Sequence, residues 1–184
     1  MKLKLKRESL EAMLLCQAKN DIRYYLNGIF LGADGTLAAT NGHIALISTH
    51  DNKIENDVII SVGKVPTKKY NHVIIDTDSK VASFMPNIDH DINDLIGRLA
   101  VASCEEIDGR FPDIKRIVPK EIKSCSEIGF SADYLVLAGK LANVITPKYK
   151  AVKFALSGND GAALGIFKLS DGTEFKYIVM PARI

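Results

Sequence analysis

At 184 residues, 47% of them hydrophobic and 25% charged, the chain is long enough to bury roughly 70% of its unfolded surface in a true core, and it carries no low-complexity tract. A net charge of +2 is too small to announce nucleic-acid binding by itself, so any such contact has to be local. Cys16, Cys104 and Cys125 form no C-x-x-C pair and are odd in number, which argues against a disulfide framework or zinc knuckle and for a reducing cytoplasm; with no signal h-region and no apolar run of about 18 residues, neither secretion nor a membrane span is expected.

Residues 2–6 alternate lysine with leucine, the period of a half-buried strand. Ser9 is the expected N-cap of a helix with Glu11 in its first turn and Leu10, Met13, Leu14 and Gln17 or Ala18 along one face. Residues 21–45 read as a β-meander: a strand from Tyr24 to Leu31, a Gly-rich turn at 32–35, and a return strand Leu37–Thr40 that runs into Asn41-Gly42, where positive φ is at home. Arg23, the two tyrosines and His43 give this meander more polar function than a bland hairpin needs. Further strands are expected at 58–60, 73–75, 81–85 and 99–107, with a loop through Pro66 at 64–71. Asp89, His90, Asp91 and Asp94 lie together in residues 86–94; without a second ligand cluster they read as a solvated loop, so no metal is expected.

Residues 109–119, GRFPDIKRIVP, are forced extended at Phe111 by Pro112, denied a ladder donor there, and closed by Pro119, which predicts an edge or an excursion across a surface. A strand at Glu127–Phe130 is expected to lead into a helix from Ser131, with Asp133 in its first turn, Leu135, Ala138, Leu141, Ala142 and Ile145 on one face, and Pro147 as its stop. Strands at 152–156, 163–169 and 174–180 follow, joined by Gly/Asn/Asp turns. The first fifty and last sixty residues thus share one order, which predicts an α+β fold of two β-α-β-β-β units with helices on one face of antiparallel sheets. Basic residues gather at Lys2, Lys4, Lys6 and Arg7, at Lys115, Arg116, Lys120 and Lys123, and at Lys148, Lys150 and Lys153; each cluster reads equally well as a solvated strand edge.

Four stretches taken together, residues 23–28 (RYYLNG), 39–43 (ATNGH), 108–119 (DGRFPDIKRIVP) and 177–184 (YIVMPARI), resemble the bacterial DNA sliding clamp, the beta subunit of DNA polymerase III. The resemblance covers most of residues 1–53 and 97–184 and is loose over 53–97. It implies a middle-domain-like unit at 1–125, without that domain's second helix, joined to the closing half of a last-domain-like unit at 126–184. Nothing matches the family's first domain, so a six-domain ring built as a dimer of standard subunits is not expected. The family's helices line a DNA channel, yet the second helix here offers Lys140 as its one cation.

The resemblance also implies a hydrophobic groove for short linear peptides of polymerase and repair proteins. Its matching residues are Arg23, Leu26, Thr40, Gly42, His43, Pro112, Ile117, Ile178, Met180, Pro181 and Arg183; Ile44 stands where the family usually has Arg, Ala45 where it has Leu and Ala182 where it commonly has Met, and the two alanines are expected to deepen or loosen the groove. Tyr24 and Tyr25 match aromatics that touch DNA in the family, and Lys19 and Arg23 lie beside them, which makes double-stranded DNA a second, weaker partner and a homo-oligomer an option. The expected function is a clamp-like, cofactor-free replication protein; the alternative is a decoy or regulator of clamp partners that does not encircle DNA. An enzyme is not expected, because no Gly-rich phosphate loop or metal spacing occurs and His43 has no nucleophile near it in sequence.

Overall fold

The computed structural model describes residues 1–87 and 91–182. Arg183 of the expected groove, and Asp89 and His90 of the acidic loop, lie outside the described residues. The chain opens with strand β1 (Lys2–Lys6), in which the alternation predicted from sequence puts Leu3 and Leu5 inside, and turns directly into helix α1 (Arg7–Cys16). The helix begins three residues earlier than the Ser9 cap predicts. Ser9 is buried within it; Lys6 stands at the cap without a side-chain bond, and the free Arg7 N–H is taken instead by the Asn71 carbonyl at 2.9 Å. Leu10, Ala12, Met13 and Cys16 face the core.

Strands β2 (Ile29–Leu31), β3 (Thr36–Thr40), β4 (Ile44–Thr49), β5 (Val58–Val62), β6 (His72–Asp76), β7 (Val81–Met85) and β8 (Ala100–Glu106) follow. Tyr24–Leu26, expected as the start of a strand, forms a single 3-10 turn, so β2 is only three residues long. The 109–119 excursion contains another 3-10 turn at Ile114–Ile117. Helix α2 (Ala132–Ile145) starts after Ser131 and stops before Pro147 as expected, but residues 127–130 in front of it form no strand. Strands β9 (Phe154–Ala155), β10 (Ala163–Lys168) and β11 (Glu174–Val179) close the chain.

Among the described residues the strands join one antiparallel sheet in the order β1-β6-β7-β8-β5-β2-β3-β4-β11-β10-β9. The β4–β11 ladder, with Ile44 opposite Val179 and Ile47 opposite Lys176, ties the last third of the chain to the first. Helix α1 touches β1 and β6 at one end of this order and β3 and β4 well along it, so the twisted sheet curls around the helix. Helix α2 lies against α1 and β10 on the same side. The main core fills this concave layer: Leu10, Met13, Leu141 and Ile145 from the helices meet Leu37, Leu46, Phe175 and Tyr177 from the sheet. Leu135, expected on the buried face of α2, is 46% exposed, because the packed arc is centred on Ala138, Leu141, Ala142 and Ile145 and Leu135 falls at its margin.

Each free edge of the sheet is met at one point by another segment. The Asn52 side chain accepts a hydrogen bond from the Lys4 N–H at 2.7 Å and donates to the Lys4 carbonyl at 3.0 Å, standing beside β1 as a neighbouring strand would. At the other edge the Lys123 N–H donates to the Leu156 carbonyl at 3.0 Å, just past β9.

Candidate functional site

Because side chains alternate along a strand, β3, β4 and β11 show a second, outer face away from the helices. Thr40, Ala45, Ile178 and Leu164 form one cross-strand row on it, and Ala38 and Ile47 start the next. The turn joining β3 to β4 fixes one end of this face. Asn41 Oδ1 accepts from the N–H groups of His43 and Ile44, both at 3.0 Å, while Thr40 Oγ1 accepts from the Gly42 N–H at 3.0 Å and donates to the Ile44 carbonyl. Gly42 has φ of +91°, which favours glycine. A Cβ there would also stand 2.9 Å from Arg23 Nη2, so the glycine is what lets the guanidinium lie across the turn.

Arg23 is aimed by Asp21, whose two carboxylate oxygens accept from Nε at 3.0 Å and Nη2 at 2.8 Å. These bonds, together with one from the Arg23 backbone N–H, hold the Asp21 carboxyl down at about 2. Leu26 joins the same corner, since the Ala18 N–H is shared between the carbonyls of Leu26 and Thr40 at 3.0 and 3.2 Å. From the other side, the Met180 N–H reaches the His43 carbonyl at 3.1 Å and the Ala182 N–H the Gly129 carbonyl at 2.8 Å, leading the chain past Pro181 along the rim. The His43 ring lies near-parallel to that of Tyr134 on α2, centroids 6.3 Å apart.

The residues quoted from three distant stretches therefore meet: Arg23 and Leu26, Thr40 to Ala45, and Ile178 to Ala182. They do not all do the same thing. Ala45 and Ile178 are fully buried and form a floor beneath the rim. Ile44, expected in the wall, points to the opposite face and belongs to the main core, since it is one residue out of phase with Ala45. Arg23 and His43 are exposed, as are Ala182 and, at 41%, Met180.

Residues 109–119 cross the same outer face farther along. Phe111 stacks on Phe30 with centroids 4.8 Å apart, and Phe111 and Ile114 pack against Ala38 and Ile59, with Ile47 alongside. Lys115 pairs with Asp34 at the β2–β3 turn, which holds the Asp34 carboxyl well below the usual carboxylate range. Pro112 is exposed here and lines a cavity of about 440 Å³ with Phe30, Asp34, Asp57 and Phe111; Ile117 is 39% exposed. Ala38 and Ile47, in the strand positions next to Thr40 and Ala45, connect this segment to the first corner.

Of the residues expected to touch DNA, Tyr24 is 57% exposed and meets Tyr25 edge to face, Lys19 is exposed, and Tyr25 packs over Gly109 beside the Phe111 cluster. Asp21, Asn41, Gly129 and Tyr134 were missed. Asp21 could have been found two residues before Arg23, at the spacing for an Asx contact, and Asn41 from its place before Gly42; nothing local marks Gly129 or Tyr134.

A larger cavity of about 680 Å³ opens elsewhere, between β1, the start of α1 and the β10–β11 turn. Its charged lining is of both signs, Lys4 and Lys6 with Glu8, Asp51 and Asp171, as is that of the outer-face cavity, and it contains no residue of the expected groove. Among the described residues no cluster of ligands suits a metal ion, and no helix is long and apolar enough to cross a membrane.

No family model matches the chain. It is 26% identical over 160 residues to a beta sliding clamp of Vibrio cholerae, covering 83% of this chain and 42% of that protein. To a beta sliding clamp of Pseudomonas aeruginosa it is 30% identical over 120 residues, covering 62% and 32%. Among solved structures, a DNA polymerase sliding clamp from Pseudomonas aeruginosa superposes with a TM-score of 0.62 at 20% identity, over 99% of this chain and 66% of that one. A sliding clamp (DNA polymerase III subunit beta) from the same organism, bound to griselimycin, gives 0.59 at 20% identity, over 100% and 66%. The chain spans less than half the length of these curated relatives, and their names give the decoy reading no support. Over that shared length the chain is similar in sequence to bacterial beta sliding clamps, and through its own length it has their fold.

Proposed function

We propose that the chain is a clamp-like, non-enzymatic replication protein whose outer face binds short linear peptides of polymerase or repair partners in the cytoplasm, with double-stranded DNA as a weaker partner at Tyr24, Lys19 and Arg23. The observation that carries this reading is the meeting of Arg23, Gly42, His43 and Met180 at one corner of the outer face, built from three stretches up to 157 residues apart in sequence. An exposed methionine is an adaptable apolar contact for an anchoring Leu or Phe, and the Arg23 guanidinium and His43 ring stand where they can orient a peptide backbone. The Phe111–Ile117 crossing supplies the opposite wall, and the small Ala45 keeps the floor low.

Isothermal calorimetry with a clamp-binding peptide tests this. Saturable binding that weakens by roughly tenfold or more in Met180→Asp, an exposed site whose change leaves the core alone, is the expected result. No saturable heat with the unmodified chain would remove the reading.

A further inference from the structure

The cavity between β1, the start of α1 and the β10–β11 turn is left unused by the outer-face site. Its volume of about 680 Å³ lies within the roughly 300–1,000 Å³ typical of small-molecule sites. Its inner wall is polar. Ser9 is 4% exposed and lines the cavity, yet among the described residues its hydroxyl makes no hydrogen bond, although a buried hydroxyl left without one costs free energy. Ser9 and Glu8 belong to the first turn of α1, so the positive end of that helix opens on the same space. His50, also buried in the lining, is already committed: its Nε2 meets the Gly32 carbonyl at 3.1 Å, and its Nδ1 accepts from the Asn52 N–H at 3.1 Å. Toward solvent, Lys6 reaches from β1 to Asp171 and, at 3.3 Å, to Thr173 Oγ1. Asp51 is exposed, and among the described residues it takes part in no ion pair.

We propose that this cavity binds a small zwitterion, a free amino acid or a dipeptide, with its carboxylate on the Ser9 hydroxyl and the positive end of α1 and its ammonium on Asp51. The pairing of the lining charges decides the ligand's own charge. Lys6 is committed to Asp171 and the Glu8 carboxylate to Arg7 at 3.1 Å. What is left is one acid at the mouth and, inside, one hydroxyl at a positive helix end. A ligand of a single charge satisfies only half of this. Two lysines against three carboxylates make the charged lining net negative, so a phosphorylated molecule meets net repulsion. Among the described residues no Phe, Tyr or Trp lines the cavity, which leaves a nucleobase without a ring to stack on. Leu5 and Leu169 are its only large aliphatic walls, too little for an acyl chain.

Titration of the isotopically labelled full chain with each common amino acid and with glycylglycine, followed by backbone amide NMR, tests the proposal. At least one of these zwitterions is expected to shift the Ser9 and Asp51 resonances saturably, with a Kd at or below about 10 mM. Amidating its carboxylate, or the substitution Ser9→Ala, is expected to weaken binding roughly tenfold or more. Acetylating its amine, or Asp51→Asn, is expected to weaken binding roughly threefold, and the acetylated compound should no longer distinguish Asp51→Asn from the unmodified chain. Circular dichroism confirms that each variant is folded, and Asp51 is exposed, so its substitution leaves the core alone. No saturable shift at these resonances with any of the zwitterions up to about 50 mM overturns the proposal. So do blocked compounds that bind as well as the zwitterion, and so does saturation by inorganic phosphate alone. Arg23 and Met180 lie outside the cavity lining, so peptide binding at the outer face succeeds or fails independently of this site.

Discussion

The corner at residues 40–45 is fixed by backbone and short polar groups: Asn41 and Thr40 close the turn, Gly42 supplies the φ, and the β3–β4 and β4–β11 ladders continue from it on both sides. The crossing at residues 109–119 has no ladder at all and is held by side chains, Phe111 and Ile114 in an apolar cluster and Lys115 on Asp34. The two walls of the proposed site therefore rest on different forces. A wall made of backbone bonds yields only when the sheet unfolds, whereas a wall pinned by two anchors can lift while the sheet stays intact.

The sharpest way to break this contrast is Phe111→Ala. Removing a buried ring stacked on Phe30 is expected to cost about 3 kcal/mol locally. Limited proteolysis should then cut within residues 109–119 while amide exchange in β3 and β4 stays slow; equal loss of protection in both would show that the walls are one unit. Gly42→Ala attacks the other wall. A side chain at φ +91° is expected to cost about 1–2 kcal/mol and to push Arg23 off the turn, which a lowered melting temperature and weakened peptide binding would register.

A smaller effect is expected from pH. The Asp21 carboxyl lies below its ordinary 3.8, so its clip on Arg23 is present above that value and is lost as pH falls toward about 2. The Arg23 Nε–H resonance should shift over this window in the wild-type chain and not in Asp21→Asn. The smallest effect belongs to Lys115→Ala: both partners of that pair are more than half exposed, so a change within about 0.5 kcal/mol is expected, and it should vanish in high salt.

The sequence was legible where a residue's neighbours decide its state. Leu3 and Leu5 between lysines, the Gly-containing turns, and the helix between Ser131 and Pro147 all came out as read. It misled where a distant partner decides. Ser9 looks like a cap, but Asn71, just before β6, serves the helix start; Glu127–Phe130 has strand composition but finds no strand partner, only the Ala182 N–H at Gly129. That the stretches at 23–26, 40–45 and 178–182 meet was legible through resemblance alone, because nothing local says that Met180 will meet His43. Resemblance in turn carried Ile44 into the wall, and strand phase takes it out.

The sheet edges bear on how chains can meet. With the Asn52 amide plugged into Lys4 and residue 123 meeting the far border, the eleven-stranded cloth is stitched at one point on each hem, and a strand added there would have to displace that stitch to pair along the full edge. The broad outer surface, where the proposed peptide site lies, carries no such partner along its rim at Arg23 and Met180, both of which are exposed.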